Sequence, residues 1–191
     1  MRRYVSSRRY EAEIEGVVAQ AKACLEAQAR AGGKLAIVLD IDETLVSNVG
    51  WLELNDWGVI KSGATNAVSG PCGLVEWIRL GRCEPIRPTL ELVRLARARG
   101  VAVFLITARP ETLREATEKN LRALGCEWTG LTLKPARLRV DSEADYKAPA
   151  RQKIAADGYR IILNLGDQDS DLAGGFAERS FKLPNPFYFT P

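Results

Sequence analysis

The chain has 191 residues, of which 46% are hydrophobic, a composition that suits one globular domain with a core of ordinary size. Its 27 basic and 24 acidic residues give a formal net charge of +3, which is too balanced to indicate a nucleic-acid polymer or an anionic membrane as partner. No apolar run is long enough to span a bilayer. The chain contains no histidine, which excludes a Ser-His-Asp triad, phosphohistidine chemistry and the usual zinc ligands. Catalysis would therefore use carboxylates, lysine, threonine, cysteine or a hard metal ion.

The N-terminal sequence MRRYVSSRRYEAEIEG starts with basic residues and lacks the apolar stretch of a signal peptide. As written, it predicts a cytoplasmic protein, and a periplasmic or secreted one if a signal peptide was removed. The residues leave both the compartment and the oligomeric state open.

The four cysteines, Cys24, Cys72, Cys83 and Cys126, show neither a CxxC pair nor the spacing of zinc ligands. Cys72 and Cys83 are close enough in sequence to form a disulfide in an oxidising compartment. Buried free thiols are the interpretation that we favour.

Strands and helices alternate along most of the chain. Segments with helical periodicity or helix-terminating glycines lie at 9–31, 88–100, 110–125 and 148–158. Apolar runs typical of buried strands lie at 34–40, 101–107, 131–135, 159–166 and 179–183. This alternation predicts an α/β fold, with a doubly wound parallel sheet covered by helices on both faces.

The segment 45–87 interrupts this alternation and is long for a connection between two strands. It contains Trp51, Trp57 and Trp77 together with several glycines. Because it follows the strongest motif directly, we expect a small cap or lid within a single domain of residues 1–191. Trp51 and Trp57 either stack on a substrate base or form the small core of the cap, and the core is the interpretation that we favour.

Polar residues follow the predicted strands where parallel sheets bind their ligands, at the carboxyl ends. The first strand ends in Asp40 and Asp42, and the second ends in Thr107 and Arg109. The strand at 159–166 runs into an acidic segment, GDQDSD, at 166–171. Lys147 lies just before the predicted helix at 148–158.

This set of residue types suits phosphoryl transfer. Clustered carboxylates repel one another unless a hard cation joins them, and Mg²⁺ prefers carboxylate oxygens, water and phosphate. A phosphoryl group also requires a lysine and hydrogen-bond donors. One carboxylate can attack phosphorus, and a second one two residues later can protonate the leaving oxygen and then activate water.

The segment DIDETL at 40–45 resembles the DxDxT signature of the haloacid dehalogenase-like superfamily. The other motifs of that superfamily follow in order as a threonine (Thr107), a lysine (Lys147) and the acidic GDxxxD motif (Asp167 and Asp171). Within the superfamily the chain is similar to acid phosphatases of the class B, plant acid phosphatase and vegetative storage protein type, from near Arg9 to Pro191. This resemblance implies a Rossmann-like fold with a small cap at 45–87.

The resemblance implies an Mg²⁺ site and a pair of catalytic carboxylates. Asp40 matches the nucleophile, which is also a metal ligand. Asp42 matches the general acid/base, and its backbone carbonyl matches a metal ligand. Asp167 matches a direct metal ligand, and Asp171 matches a carboxylate that acts on the metal or its water. Asp169 lies between the motif positions and is left outside the site.

The resemblance also implies a phosphate-binding set. Thr107 and Lys147 match the groups that hold the transferring phosphoryl oxygens, and Lys147 also neutralises the nucleophile. Arg109 and Arg151 are candidate substrate or supporting contacts. The expected substrate is a small phosphomonoester, with a nucleotide as one candidate, and the expected enzyme is a phosphatase with potential phosphotransferase activity.

Two alternatives stay open. A signalling receiver module also gathers carboxylates, a threonine and a lysine around Mg²⁺. Its motifs come in another order, whereas this chain places Thr107 on the second strand and ends with acids. A non-catalytic storage or binding relative is the other alternative, and the intact residues Asp40, Asp42 and Lys147 argue against it.

Overall fold

The computed structural model describes residues 2–63 and 70–191. Its strands, numbered in chain order, are β1 (Leu35–Leu39), β2 (Val46–Ser47), β3 (Glu84–Pro85), β4 (Ala102–Pro110), β5 (Gly130–Lys134), β6 (Arg160–Gly166) and β7 (Ser180–Lys182). Five of them form a parallel sheet in the order β5-β4-β1-β6-β7, and β2 pairs with β3 in a small antiparallel ribbon. All five predicted strands of the main sheet are confirmed, with ends shifted by a few residues.

The helices are α1 (Arg2–Ser6), α2 (Arg9–Gln28), α3 (Val49–Leu54), α4 (Leu74–Leu80), α5 (Arg87–Ala98), α6 (Arg114–Ala123), α7 (Ala144–Ala156) and α8 (Asp169–Leu172). Their positions confirm the four predicted helices. The predicted helix at 9–31 ends earlier, at Gln28, and the short helix α1 was not expected from the sequence.

Two helix starts differ from the prediction. Pro110 is the last residue of β4 rather than the first of a helix, because the strand resumes pairing there with Lys134 after a register shift. The proline at position 149 favours a start at 148, but α7 begins at Ala144. Burial of Tyr146 against the sheet extends the helix toward its N-terminus, so that Lys147 lies within α7 instead of before it.

The central strand β1 is buried on both faces. Its side chains alternate, so that Ile37 and Leu39 pack in the cluster that includes α2 and α5. Ala36 and Val38 pack on the other face, where Tyr146 of α7 belongs to the same cluster. Helices therefore cover both faces of the sheet, and the predicted α/β architecture is confirmed.

The segment 45–87 contains the ribbon β2-β3 and the helices α3 and α4, while residues 64–69 lie outside the described part of the chain. Trp51 is fully buried and its indole Nε1 donates to the carbonyl of Cys72 at 2.7 Å. Trp57 stacks on Phe187 with ring centroids 5.9 Å apart. These contacts support the core interpretation for Trp51, whereas Trp57 is half-buried and packs against the same cluster. The action of this segment as a cap stays a prediction.

All four cysteines are buried and free, which confirms the interpretation as thiols and excludes a disulfide between Cys72 and Cys83 in this structure. Within residues 2–63 and 70–191, no helix has both the length and the apolar character needed to cross a bilayer.

The topology brings the ends of two strands together. Strand β1 lies between β4 and β6, so the carboxyl ends of β1 and β6 are adjacent. The backbone N–H of Asp40, directly after β1, donates to the carbonyl of Leu165 in β6 at 3.0 Å. Asp167 follows β6 directly, so the fold places the two acidic motifs side by side.

Candidate active site

Lys147 lies between two of the predicted acidic residues. Its ammonium Nζ is 2.6 Å from Asp40 Oδ1 and 2.5 Å from Asp171 Oδ1. All three side chains are buried. One lysine from α7 thus joins Asp40, the residue after β1, to Asp171 in α8.

Asp167 completes a group of three carboxylates. Oxygens of Asp40, Asp167 and Asp171 lie within 4.8 Å of one another. The structure therefore brings together three of the four residues predicted to bind metal. The side chain of Asp42 is not in this group, and the expected use of its backbone carbonyl stays a prediction.

The local charge balance fits a divalent cation. Burial, more than the repulsion by neighbouring carboxylates, raises the pKa of Asp40 well above its usual value. Burial and the negative charge of Asp171 raise the pKa of Asp167 to about 6. Burial alone would lower the pKa of Lys147, but the attraction of Asp40 and Asp171 outweighs burial and raises the pKa above its usual value. One ammonium thus faces three carboxylates, and an oxygen-ligating cation such as Mg²⁺ suits the remaining negative charge.

Asp167 is held by hydrogen bonds at both oxygens. The hydroxyl of Thr44 donates to Oδ1 at 3.0 Å. The side-chain amides of Gln168 and Asn185 donate to Oδ2 at 2.5 and 2.7 Å. None of these three supporting residues was assigned from the sequence. Thr44 lies in the DxDxT motif, whereas Asn185 comes from the C-terminal segment and gives no periodic signal.

Asp171 closes the loop that carries Asp167. Its Oδ2 accepts the backbone N–H groups of Asp167 and Gln168 at 3.0 and 2.9 Å, while Oδ1 faces Lys147. The side-chain amide of Asn164 donates to the Asp171 carbonyl at 2.9 Å. The carboxylate is therefore fixed between the acidic loop and the lysine.

Arg151 supports the same loop through hydrogen bonds to backbone carbonyls. Its guanidinium donates to the carbonyls of Asp171 at 2.6 Å, Gly175 at 2.9 Å and Ala173. The residue is 1% exposed. The structure thus favours a supporting role for Arg151 over the alternative of a substrate contact.

Asp42 faces Arg109 and Asn48. The Arg109 guanidinium donates to both oxygens, from Nε to Oδ2 at 2.8 Å and from Nη2 to Oδ1 at 2.7 Å. The Asn48 amide donates to Oδ1 at 2.8 Å. Burial favours the neutral acid, but the charge and hydrogen bonds of Arg109 outweigh it and lower the pKa of Asp42.

Glu43 lies behind Asp42 and is fully buried. Burial and the charge of Asp42 raise the pKa of Glu43 to about 8. Its carboxylate accepts the backbone N–H of Asn48 at 2.7 Å and the hydroxyl of Tyr188. Sequence reasoning did not single out Glu43, Asn48 or Tyr188. Tyr188 reaches the motif from the other end of the chain.

Thr107 and Arg109 lie at the end of β4 as predicted. The Thr107 hydroxyl is buried and accepts the backbone N–H of Arg109 at 3.2 Å, which leaves its own hydrogen available. The side chain of Arg109 points to Asp42, and its expected contact with substrate stays a prediction.

A cavity of about 320 Å³ opens above these groups. Asp40, Asp42, Lys147, Asp167 and Asp171 lie in its lining. Its remaining wall is largely apolar and includes Val59, Leu74, Val75, Pro110, Leu113 and Phe189. A small charged group can therefore reach Asp40, with the rest of a ligand against apolar side chains.

The chain combines a parallel sheet covered by helices with acidic residues after two adjacent strands, β1 and β6. Comparison with known proteins identifies the family that has this combination. The whole chain, residues 1–191, matches the profile described as HAD superfamily, subfamily IIIB (acid phosphatase). The chain is therefore a member of subfamily IIIB of the haloacid dehalogenase superfamily.

Individual relatives agree with this assignment. Acid phosphatase 1 of Solanum lycopersicum is 33% identical over 159 residues, which are 82% of this chain and 60% of that protein. Vegetative storage protein 1 of Arabidopsis thaliana is 33% identical over 156 residues, which are 81% of this chain and 55% of that protein. The chain thus spans between about half and two thirds of the length of these relatives.

Solved structures show the same fold at lower identity. The class C acid phosphatase of Bacillus anthracis, in a crystal structure with tungstate bound, superposes with a TM-score of 0.75 at 21% identity. The match covers 98% of this chain and 82% of that chain. The similarity extends over the whole sheet, and it confirms the predicted haloacid dehalogenase-like fold.

Proposed function

We propose that this chain is a Mg²⁺-dependent phosphomonoester hydrolase that forms an aspartyl phosphate on Asp40. The observation that carries the proposal is the contact of Lys147 with Asp40 and Asp171, 2.6 and 2.5 Å away, beside a third carboxylate at Asp167. The motifs that place these residues are those of the family to which the chain belongs.

In the first step, Asp40 is the nucleophile. One of its carboxylate oxygens forms a bond to phosphorus while the bond from phosphorus to the ester oxygen breaks. The Lys147 ammonium and the Thr107 hydroxyl donate to the phosphoryl oxygens. Asp40, Asp167 and Asp171 would hold Mg²⁺, which supplies positive charge toward the phosphoryl group when bound.

Asp42 carries the proton in both steps. It gives a proton to the leaving oxygen, for which the negative charge of the bound phosphomonoester must first offset the lowering of the Asp42 pKa by Arg109. In the second step it takes a proton from the water that attacks phosphorus and breaks the acyl phosphate. Asp40 is then free as a carboxylate and inorganic phosphate leaves. The side chain of Asp42 is 18% exposed and lines the cavity, which supports access to the leaving group.

The substrate class follows from the cavity wall. The apolar side chains of Phe189, Val59 and Leu74 line the same cavity as the charged residues. A leaving group with an aromatic or apolar surface therefore fits better than a bare sugar. A nucleotide is one candidate of this type. Lys61 is an exposed basic residue in the lining that would face a second acidic group on such a substrate.

A panel of phosphomonoesters tests the proposal. We expect phosphate release with Mg²⁺, loss of turnover in EDTA and recovery when Mg²⁺ is restored. Asp40→Asn should lower kcat at least about 1,000-fold, on the order of the loss of an essential nucleophile. The matched control is Asp169→Asn, because Asp169 is exposed and lies outside the carboxylate group. Turnover that survives in Asp40→Asn would refute the mechanism.

Two other outcomes point to the alternatives. Release of a single phosphate equivalent, followed by a stable phosphoprotein, would indicate a receiver-like phospho-acceptor. No turnover of any ester by the folded, Mg²⁺-loaded protein would favour a storage or binding role. The Arabidopsis relative is named as a storage protein.

A further inference from the structure

We propose that Asn48 is a positioning residue that orients the carboxylate of Asp42 for proton transfer, an inference that rests on the proposed phosphatase function. The Asn48 amide is fully buried and donates to Asp42 Oδ1 at 2.8 Å. Arg109 donates to the same oxygen at 2.7 Å and to Oδ2 at 2.8 Å. From the described residues, Oδ1 thus receives two donors and Oδ2 receives one, so Oδ2 is the oxygen with room for a proton.

The surroundings fix which way the Asn48 amide faces. Its nitrogen lies 2.8 Å from Asp42 Oδ1 and 3.3 Å from Glu43 Oε2, while its oxygen accepts the thiol of Cys83 at 3.3 Å. A flipped amide would point an oxygen at the ionised carboxylate of Asp42 and leave the thiol facing an N–H group. The observed orientation is therefore the one in which Asn48 donates to Asp42.

Glu43 in turn fixes the backbone that carries Asn48. Its Oε1 accepts the Asn48 backbone N–H at 2.7 Å, and its Oε2 accepts the Tyr188 hydroxyl. Glu43 has φ 53°, a left-handed conformation that is uncommon for a residue other than glycine. Such a conformation persists where the surroundings determine it, so the loop from Glu43 to Asn48 is held in place before substrate binds.

A positioning role for Asn48 predicts different effects on two substrates, whereas a purely structural role predicts equal effects. An alkoxide leaving group needs the proton from Asp42, whereas p-nitrophenolate leaves readily without one. A misplaced Asp42 carboxylate should therefore slow hydrolysis of alkyl phosphates more than hydrolysis of p-nitrophenyl phosphate. Loss of folded enzyme would lower both rates by the same factor.

The experiment compares kcat/KM of Asn48→Ala for glycerol phosphate and p-nitrophenyl phosphate, in the full chain with saturating Mg²⁺. We expect the loss for glycerol phosphate to exceed the loss for p-nitrophenyl phosphate about tenfold, a fraction of the roughly 100- to 10,000-fold that general acids contribute. Asn55→Ala is the matched control. Among the described residues, the Asn55 amide bonds the backbone of Cys72, at 2.8 Å, so its removal should affect both substrates equally.

An equal loss on both esters in Asn48→Ala would overturn the proposal. If that variant does not fold, Asn48→Ser and a crystal structure of the wild type with Mg²⁺ and orthovanadate decide instead. In that crystal structure the Asn48 amide should remain within hydrogen-bond distance of Asp42, and separation of the two would also overturn it. Wild-type protein that hydrolyses neither ester would refute the proposed function itself, which is a different result.

Discussion

The guanidinium of Arg109 binds both carboxylate oxygens of Asp42, and the Arg109 side chain is only 2% exposed. The sequence makes Arg109 a candidate for either a substrate contact or a supporting contact. In the structure its charge is balanced by the predicted acid/base residue, and a contact with substrate stays a prediction. The orientation and the pKa of the Asp42 carboxyl therefore depend on Arg109 of β4 as well as on the loop that carries Asp42.

A double-mutant cycle should detect this pair. We expect Arg109→Met and Asp42→Asn to show a coupling free energy of about 1.5–3 kcal/mol, the range for hydrogen bonds to charged groups. Urea unfolding of the two single variants and the double variant gives the value. The exposed pair Lys182–Asp169, at 2.6 Å, is the control, and its coupling should stay below about 1 kcal/mol because water screens it. Equal coupling in the two pairs would contradict the assignment.

Gly166 tests the packing of Asp171. A Cβ atom at Gly166 would lie 2.3 Å from Asp171 Cβ and 2.5 Å from Asp171 Oδ2. Asp171 has little freedom to move, because Lys147 and two backbone amides hold its carboxylate. Gly166→Ala should therefore cost about 1–3 kcal/mol of unfolding free energy and weaken Mg²⁺ binding.

The control for this substitution is Gly16→Ala. Gly16 lies within α2, and a Cβ atom added there would meet no atom of the described residues within 4 Å, so alanine should stabilise the helix by about 0.5–1 kcal/mol. Urea unfolding and calorimetric titration with Mg²⁺ measure both variants. A Gly166→Ala protein that matches wild type in both measurements would show that Asp171 can shift freely.

The extent to which the sequence predicts this site follows from the physics of its parts. Buried parallel strands are continuous apolar runs, so β1 and β6 are visible in the sequence, and the residues after them, Asp40 and Asp167, follow from topology. Asn185 and Tyr188 could not be found in this way. They reach the site through contacts between segments distant along the chain, and such contacts leave no periodic pattern.

Helix boundaries are also poorly predicted where contacts between distant segments outweigh local sequence signals. A proline is a local signal, and at 149 it suggests a helix start that the structure places at Ala144. Tyr146 packs in the cluster of Ile106 and Ile154, and its hydroxyl donates to the carbonyl of Thr107. This tertiary packing outweighs the local preference and carries Lys147 on a rigid helix.

Alkaline stability should depend on Cys126. Burial raises the pKa of the Cys126 thiol to about 11, from an ordinary value of 9.0. Between these two values the unfolded chain loses this proton and the folded chain keeps it, so stability should fall as pH rises from about 9 to about 11. The contribution is at most about 2.8 kcal/mol, because a pKa difference of one corresponds to about 1.4 kcal/mol and the pKa rises by about two.

Cys126→Ala removes this titration. Its unfolding free energy relative to wild type, measured in urea from about pH 7 to about pH 10.5, should rise steadily above about pH 9. The offset at neutral pH gives the packing cost of the substitution and serves as the internal control. A difference between the two proteins that stays constant over the whole range would show that the thiol titrates normally.

The apolar mouth of the cavity predicts a selective effect of Phe189. This side chain is 74% exposed and lies in the cavity wall. An aryl leaving group that covers about 50 Å² of its ring would gain about 1.3 kcal/mol, or roughly tenfold. Phe189→Ala should therefore lower kcat/KM for phenyl phosphate about tenfold and leave methyl phosphate nearly unchanged.

Leu80 provides the matched control, because it is 54% exposed and terminates α4 without lining the cavity within the described part of the chain. Leu80→Ala should leave both substrates unaffected. Because Phe189 is largely exposed, its removal should cost little stability, so a change in kcat/KM would report on the leaving group and not on folding. Equal losses on phenyl and methyl phosphate would mean that Phe189 acts on the phosphoryl end of the site, and the apolar wall would then have no part in substrate choice.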